Sequence, residues 1–190
     1  MANRHAITLS IGGNLLVMAA SWALHGWNDV GVHVAARNTA RFSALWFIVG
    51  FSAPGLARWV RTLPSGTTLI RAFVAAQMVH YMSVIAVLHF DPAHFSHHPV
   101  KAGLIIINGF LIVLITGLTA RPQASPTVAG IHTSLLYLIS FIFFAALLRD
   151  RFKPFRAAAV MLVLALILRL IVRIKSYRSE AKSASEVVTA

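Results

Sequence analysis

Residues 71–90, RAFVAAQMVHYMSVIAVLHF, decide the fold. After Arg71 the stretch carries no formal charge, and an apolar run of about 20 residues is what an α-helix needs to cross a hydrocarbon core of about 30 Å. His80 falls near its middle. An imidazole at that depth is costly to keep from water and usually turns toward the interior of a bundle, which makes it a functional position by default. A second histidine, His132, lies in another apolar run, IHTSLLYLI.

Outward from this stretch the rest of the chain repeats the pattern. Of 190 residues, 58% are hydrophobic and 12% charged, and the mean hydropathy is +0.76, far more apolar than a soluble domain. Charge-poor runs predict helices over 6–24, 42–57, 72–90, 102–120, 127–148 and 155–174. The expected fold is all-α, an integral membrane six-helix bundle over 1–178, followed by a polar, disordered tail over 179–190. The basic start and small residues at 19–21 imitate a signal peptide, and the run is read instead as a retained first helix. In it, Gly12 and Gly13 permit close helix approach and Asn14 supplies an interhelical hydrogen bond. Residues 25–41, with Trp27, Asp29, His33, Arg37 and Arg41, read as a loop, and Pro54 as the point that kinks or ends the second helix.

Orientation follows from Lys and Arg. With the N-terminus inside, the inner side holds Arg4, Arg58, Arg61, Arg71, Arg121, Arg169, Arg173, Lys175, Arg178 and Lys182. The outer side holds Arg37, Arg41, Lys101, Arg149, Arg151, Lys153 and Arg156. The excess inside predicts that both termini are cytoplasmic, and the membrane expected is the bacterial inner membrane.

Several function classes drop out. The net charge of +12 sits at helix ends and in the tail, where basic residues anchor to headgroups and form no nucleic-acid-binding face. Cysteine is absent, which excludes disulfides, thiolate ligation, iron–sulfur clusters and covalent haem attachment. No Rossmann glycine pattern or phosphate-binding loop is present. All five acidic residues, Asp29, Asp91, Asp150, Glu180 and Glu186, lie outside the apolar runs, which speaks against a cation pathway through the helices.

Histidine is the transition-metal ligand that remains. On the six-helix topology the third and fifth predicted helices run parallel, and His80 and His132 follow Arg71 and Arg121 at comparable spacing. Two neutral imidazoles across a bundle suit one haem b iron. Arg41, Arg71 and Arg121, at helix starts, suit its propionates. The loop HFDPAHFSHH adds His89, Asp91, His94, His97 and His98, donors for Zn, Cu or Fe without a named spacing.

Four segments carry a family resemblance over roughly 39–148: TARFSALWFIVGFSAP (39–54), LIRAFVAAQMVHYMSVI (69–85), HHPVKAGLIIINGF (97–110) and AGIHTSLLYLI (129–139). Together they resemble the ferric reductase-like transmembrane domain family, to which the haem-binding membrane subunit of the bacterial methionine sulfoxide reductase system and the membrane part of NADPH oxidases belong. The resemblance implies His80 and His132 as axial ligands, six helices, and electrons received from a separate flavin partner. Thr133 stands where the family has Arg, and Ala145 near where it has a second histidine, so one haem is expected. The sequence thus supports a b-type haem protein carrying electrons within or across the bilayer with a flavin- or quinone-linked donor. It also supports a metal-ion-binding or transport protein using loop 89–98, or a structural subunit contacting a membrane partner.

Overall fold

The computed structural model describes residues 2–57, 59–119, 125–149 and 153–188. They form α1 (Ala2–His25), α2 (Asp29–Leu56), α3 (Gly66–Phe90), α4 (Ala93–His97), α5 (Pro99–Thr119), α6 (Pro126–Arg149) and α7 (Lys153–Val188), with no strand among the described residues. Among the described residues five stretches are long and apolar enough to span a bilayer: Arg4–His25, Gly66–Phe90, Ala102–Thr119, Pro126–Leu148 and Arg156–Lys175. By length and composition these are the helices of a membrane protein. Its outward side chains agree, because Ile106 and Phe141 are 72% and 68% exposed on faces that only lipid would cover.

α2 departs from the expected six equal spans. Its apolar half, 42–57, is the continuation of a helix that begins at Asp29, so most of the expected loop 25–41 is helical. The start is built locally. Gly26 takes φ +85°, a left-handed conformation that suits glycine and closes α1. Asn28 then caps α2, its Oδ1 accepting from Gly31 N at 3.0 Å, which satisfies one of the orphan donors of the first turn. From there Val32, Ala35 and Thr39 are buried while Asp29 and Arg37 stay exposed. A helix that buries one stripe and exposes its charges reads as a loop when only charge-free length is counted.

α1, α2 and α3 form the tightest part of the bundle. Asn14, fully buried, donates through Nδ2 to Ala76 O at 2.6 Å and to Ser43 Oγ at 3.2 Å, joining the three helices. A Cβ on Gly13 would lie 2.6 Å from Phe42 Cζ, so the close approach expected there is realised. The larger core is aromatic. Phe47 stacks on Phe51 and Phe143, with centroids 5.4 and 5.2 Å apart, and meets Phe73 edge-on at 5.1 Å. Ile112, Ile115, Leu136, Ile139 and Leu162 close it from α5, α6 and α7. With lipid as the competing environment, the gain here is van der Waals contact more than exclusion of water.

Pro54 lies two residues from the end of α2. Arg169, from α7, donates to Phe51 O at 3.1 Å and lies over the Phe51 ring at 4.7 Å, placing a guanidinium on a backbone loosened by the proline. α7 runs on through Val188, over residues 179–188 of the polar stretch 179–190 read from sequence as a disordered tail. Up to Glu186 that stretch has Ala, Glu or Lys at five of eight positions, the rest Ser, and it holds neither Gly nor Pro, a composition that can continue a helix already nucleated upstream.

Candidate metal centre

Three helix ends meet where α1 finishes. α3 stops at Asp91 because Pro92 follows: the residue before a proline is pushed out of the α region, and Asp91 has φ −138° and ψ 70°. Its backbone N–H still bonds Val87 O at 2.8 Å. The chain turns straight into α4, where His94 N donates to Asp91 O at 3.1 Å, which carries the His94 ring back over the Asp91 carboxylate. From α2 comes His33, one turn past Asp29.

The result is a cluster of two imidazoles and one carboxylate. His33 Nε2 lies 3.0 Å and His94 Nδ1 3.6 Å from Asp91 Oδ2, and one ligand atom from each residue falls within 4.8 Å of the others. The His33 and His94 rings are 4.4 Å apart, and His98 packs against His94 at 4.9 Å. All three side chains of the cluster are partly exposed. The hydrogen bond from His33 holds the Asp91 carboxyl below its ordinary range; slight burial works against this, and the charges of His33 and His94 add to it. The carboxylate is therefore ionised at neutral pH, as a metal ligand must be. Trp22 and Trp27, ring centroids 3.9 Å apart, and Phe90, 5.8 Å from Trp27, cluster at the same end, where an interfacial aromatic belt belongs.

Of the loop residues singled out from sequence, Asp91 and His94 enter the cluster and His98 packs beside it. His97 and His89 are exposed, and His89 contacts Phe90 edge-on at 5.1 Å. His33 is the member that sequence reasoning missed. It is 58 residues from Asp91, and only a helix starting at Asp29 puts it there.

The two histidines expected to share a haem iron are not brought together. His80 Nδ1 lies 3.1 Å from Thr39 Oγ1, which also donates to Ala35 O at 2.8 Å. His132 Nε2 lies 3.1 Å from Thr119 Oγ1, and the Thr119 carbonyl accepts from Arg71 Nη2 at 3.0 Å. Their levels differ. Phe73 of α3 and Phe143 of α6 are in ring contact at 5.8 Å. His80 lies seven residues past Phe73, and His132 eleven before Phe143. Because Arg71 and His132 meet at Thr119, both helices rise in the same direction, and His80 lies above His132 by about 13.5 Å of helix rise counted from the Thr119 contact and about 27 Å counted from the phenylalanine pair. Two axial imidazoles must face each other at one level; these do not, each already has a threonine partner, and the residues present do not fit the implied haem. Of the propionate candidates, Arg71 is bonded to the Thr119 carbonyl and Arg41 Nη1 donates to Asn38 Oδ1 at 3.1 Å. Arg121 lies outside the described residues.

Fold and site together define an all-helical protein with five candidate membrane-spanning helices and a His/Asp cluster at one end of the bundle. Comparison with protein-family models, curated proteins and solved structures finds no match to the chain.

Proposed function

We propose that this protein binds a divalent first-row transition metal ion at a membrane face, through His33 Nε2, Asp91 Oδ2 and His94 Nδ1. The observation that carries the reading is the convergence of three ligand atoms from α2, the end of α3 and α4 to within 4.8 Å. Around a tetrahedral ion with metal–ligand bonds of about 2.0–2.2 Å, ligand atoms sit about 3.4 Å apart. The two distances to Asp91 Oδ2, 3.0 and 3.6 Å, bracket that value. The ion takes the place of the proton on His33 Nε2, which moves to Nδ1 of the neutral ring, and binding weakens as pH falls because protons compete for the imidazole and carboxylate ligands. Two imidazoles and one carboxylate suit Zn, Cu, Ni or Fe over Ca or Mg. Three protein ligands in a partly exposed site leave a fourth position open, the arrangement of an exchangeable or reactive centre more than of a structural one.

With the N-terminus cytoplasmic in a bacterial inner membrane, the cluster faces outward, at the end of α1 remote from the N-terminus. It is a capture site for an ion arriving from that side. The haem-based reading, and with it the flavin- or quinone-linked donor, rested on a shared level for His80 and His132.

The test is Co2+ titration of the detergent-purified chain, read by visible absorption and equilibrium dialysis. The expected result is one Co2+ per chain with the intense bands of a tetrahedral site, lost in His33→Ala and Asp91→Asn and retained in His89→Ala and His97→Ala. Equal loss in all four variants, or no binding in the parent, refutes the reading.

A further inference from the structure

Beneath the cluster lies a cavity of about 270 Å³ whose wall includes His33 and His94 themselves, together with Ala36 and Arg37 of α2, His80, Val84 and Val87 of α3, Phe95 of α4 and Ile105 of α5. The α3 residues 80, 84 and 87 fall on one helical stripe that Asp91 prolongs. One face of α3 therefore runs from the ion site into the bundle, over about 16.5 Å of rise. Resting on the metal-centre reading, we infer that this cavity is a binding site for a small monocarboxylate, its head on the open position of the metal ion and on Arg37, its tail between Val84, Val87 and Ile105.

The charge balance selects an anion. A divalent ion, one Asp91 carboxylate and the Arg37 guanidinium leave the mouth of the cavity positive, and no acidic side chain is among the residues that line it; Asp29, one helical turn before His33, is exposed. Arg37 has no ion pair or hydrogen bond among the described residues, although it lines a cavity in which a carboxylate would meet it in a charge-assisted pair. The apolar middle of the wall selects a tail. Val84 and Val87 are buried and offer nothing polar to an inorganic anion. At about 270 Å³ the cavity admits a four- or five-carbon acid. At the inner end His80, fixed by Thr39 at 3.1 Å, closes the space, which gives this buried histidine a place in the site that a haem does not.

Co2+-loaded protein in detergent, titrated with sodium butyrate and separately with sodium acetate, tests the inference. The expected result is a saturable shift of the Co2+ absorption bands, with butyrate binding roughly tenfold more tightly than acetate because two further carbons leave water. In Arg37→Gln the butyrate dissociation constant rises roughly tenfold, the worth of one charged hydrogen bond, with one Co2+ still bound per chain. Val84→Phe, which fills the cavity, abolishes the butyrate shift. If Co2+ binds and butyrate leaves its bands unchanged, or acetate and butyrate bind alike, or Arg37→Gln has no effect, the carboxylate site is overturned and the metal centre stands. If Co2+ does not bind to the parent protein, both fall.

Discussion

Gly31→Ala tests whether the metal ligand His33 is placed by the turn between α1 and α2. Gly31 is the third residue of α2 and lies two before His33. A Cβ built on it collides with the backbone carbonyl oxygen of Gly26, with the Gly26 carbonyl carbon 3.0 Å away. Neither atom belongs to a side chain that can swing aside. Helix propensity alone favours the substitution by about 1 kcal/mol. Overpacking against a rigid neighbour costs about 1–3 kcal/mol, and here the neighbour is the peptide that closes α1 and prepares Asn28 for its cap. Against backbone the clash lies at the upper end of that range, and the expected net loss is up to about 2 kcal/mol, relieved by moving the first turn of α2. Displacement of that turn moves His33 off Asp91, and loosened support of a ligand typically costs 10–100-fold in metal affinity. The assay is Co2+ affinity by dialysis together with the thermal unfolding midpoint in detergent, with Gly12→Ala alongside because nothing lies within 4 Å of a Cβ there. Gly12→Ala should keep parent affinity and gain slightly in stability. A Gly31→Ala protein with parent affinity and an unchanged or higher midpoint would refute the claim that this turn positions the site.

Three further outcomes follow from the same packing. Purified protein expressed with ample haem should show no dithionite-reduced b-type spectrum that is lost in both His80→Ala and His132→Ala; such a spectrum would overturn the separation of the two histidines. Asn14→Ala removes two interhelical hydrogen bonds, worth on average about 0.6 kcal/mol each within a membrane. The resulting loss of roughly 1 kcal/mol should be visible as a lower unfolding midpoint. In the metal-free protein the His33 bond depresses the Asp91 pKa, so its stabilisation is complete above the ordinary value of 3.8 and is lost as pH falls through the lower folded value. His33→Ala should move the Asp91 carboxyl midpoint upward, read by the 13C shift of that carbon, and an unmoved midpoint would count against the pair.

What was legible in the sequence is what the bilayer itself dictates. A hydrocarbon core of fixed thickness demands long uncharged runs, so α1, α3, α5, α6 and the membrane part of α7 could be read almost to their ends. α2 was not, because a helix that keeps Asp29, Arg37 and Arg41 on one side and buries Val32, Ala35 and Thr39 on the other has no charge-free length to count. The depths of His80 and His132 failed for a related reason. Arg121 served as the marker for the start of the helix bearing His132, but α6 begins at Pro126 and sits so that Phe143, seventeen residues on, meets Phe73, only seven residues into α3. Spacing along one helix carries no information about the axial offset between two helices; that offset is set by which side chains interlock, here the aromatic layer of Phe47, Phe73 and Phe143.

The same limit explains why the metal cluster was half visible. Asp91, Pro92 and His94 form a local device, a helix stop followed by a turn that returns an imidazole to the carboxylate, and such a device can be read from adjacent residues. Two ligands from one loop make a weak site, since the entropy of ordering that loop is lost on every binding event. His33 changes this. It stands on a helix whose cap is fixed by Asn28 and whose buried stripe is packed on α1 and α3, so part of the ordering is complete before an ion arrives. Specificity for a metal over an ordinary surface ion pair thus depends on the one ligand that lies outside the histidine-rich loop, and the length of α2 beyond the apolar core, from Asp29 to Arg41, is the structural means of bringing it there.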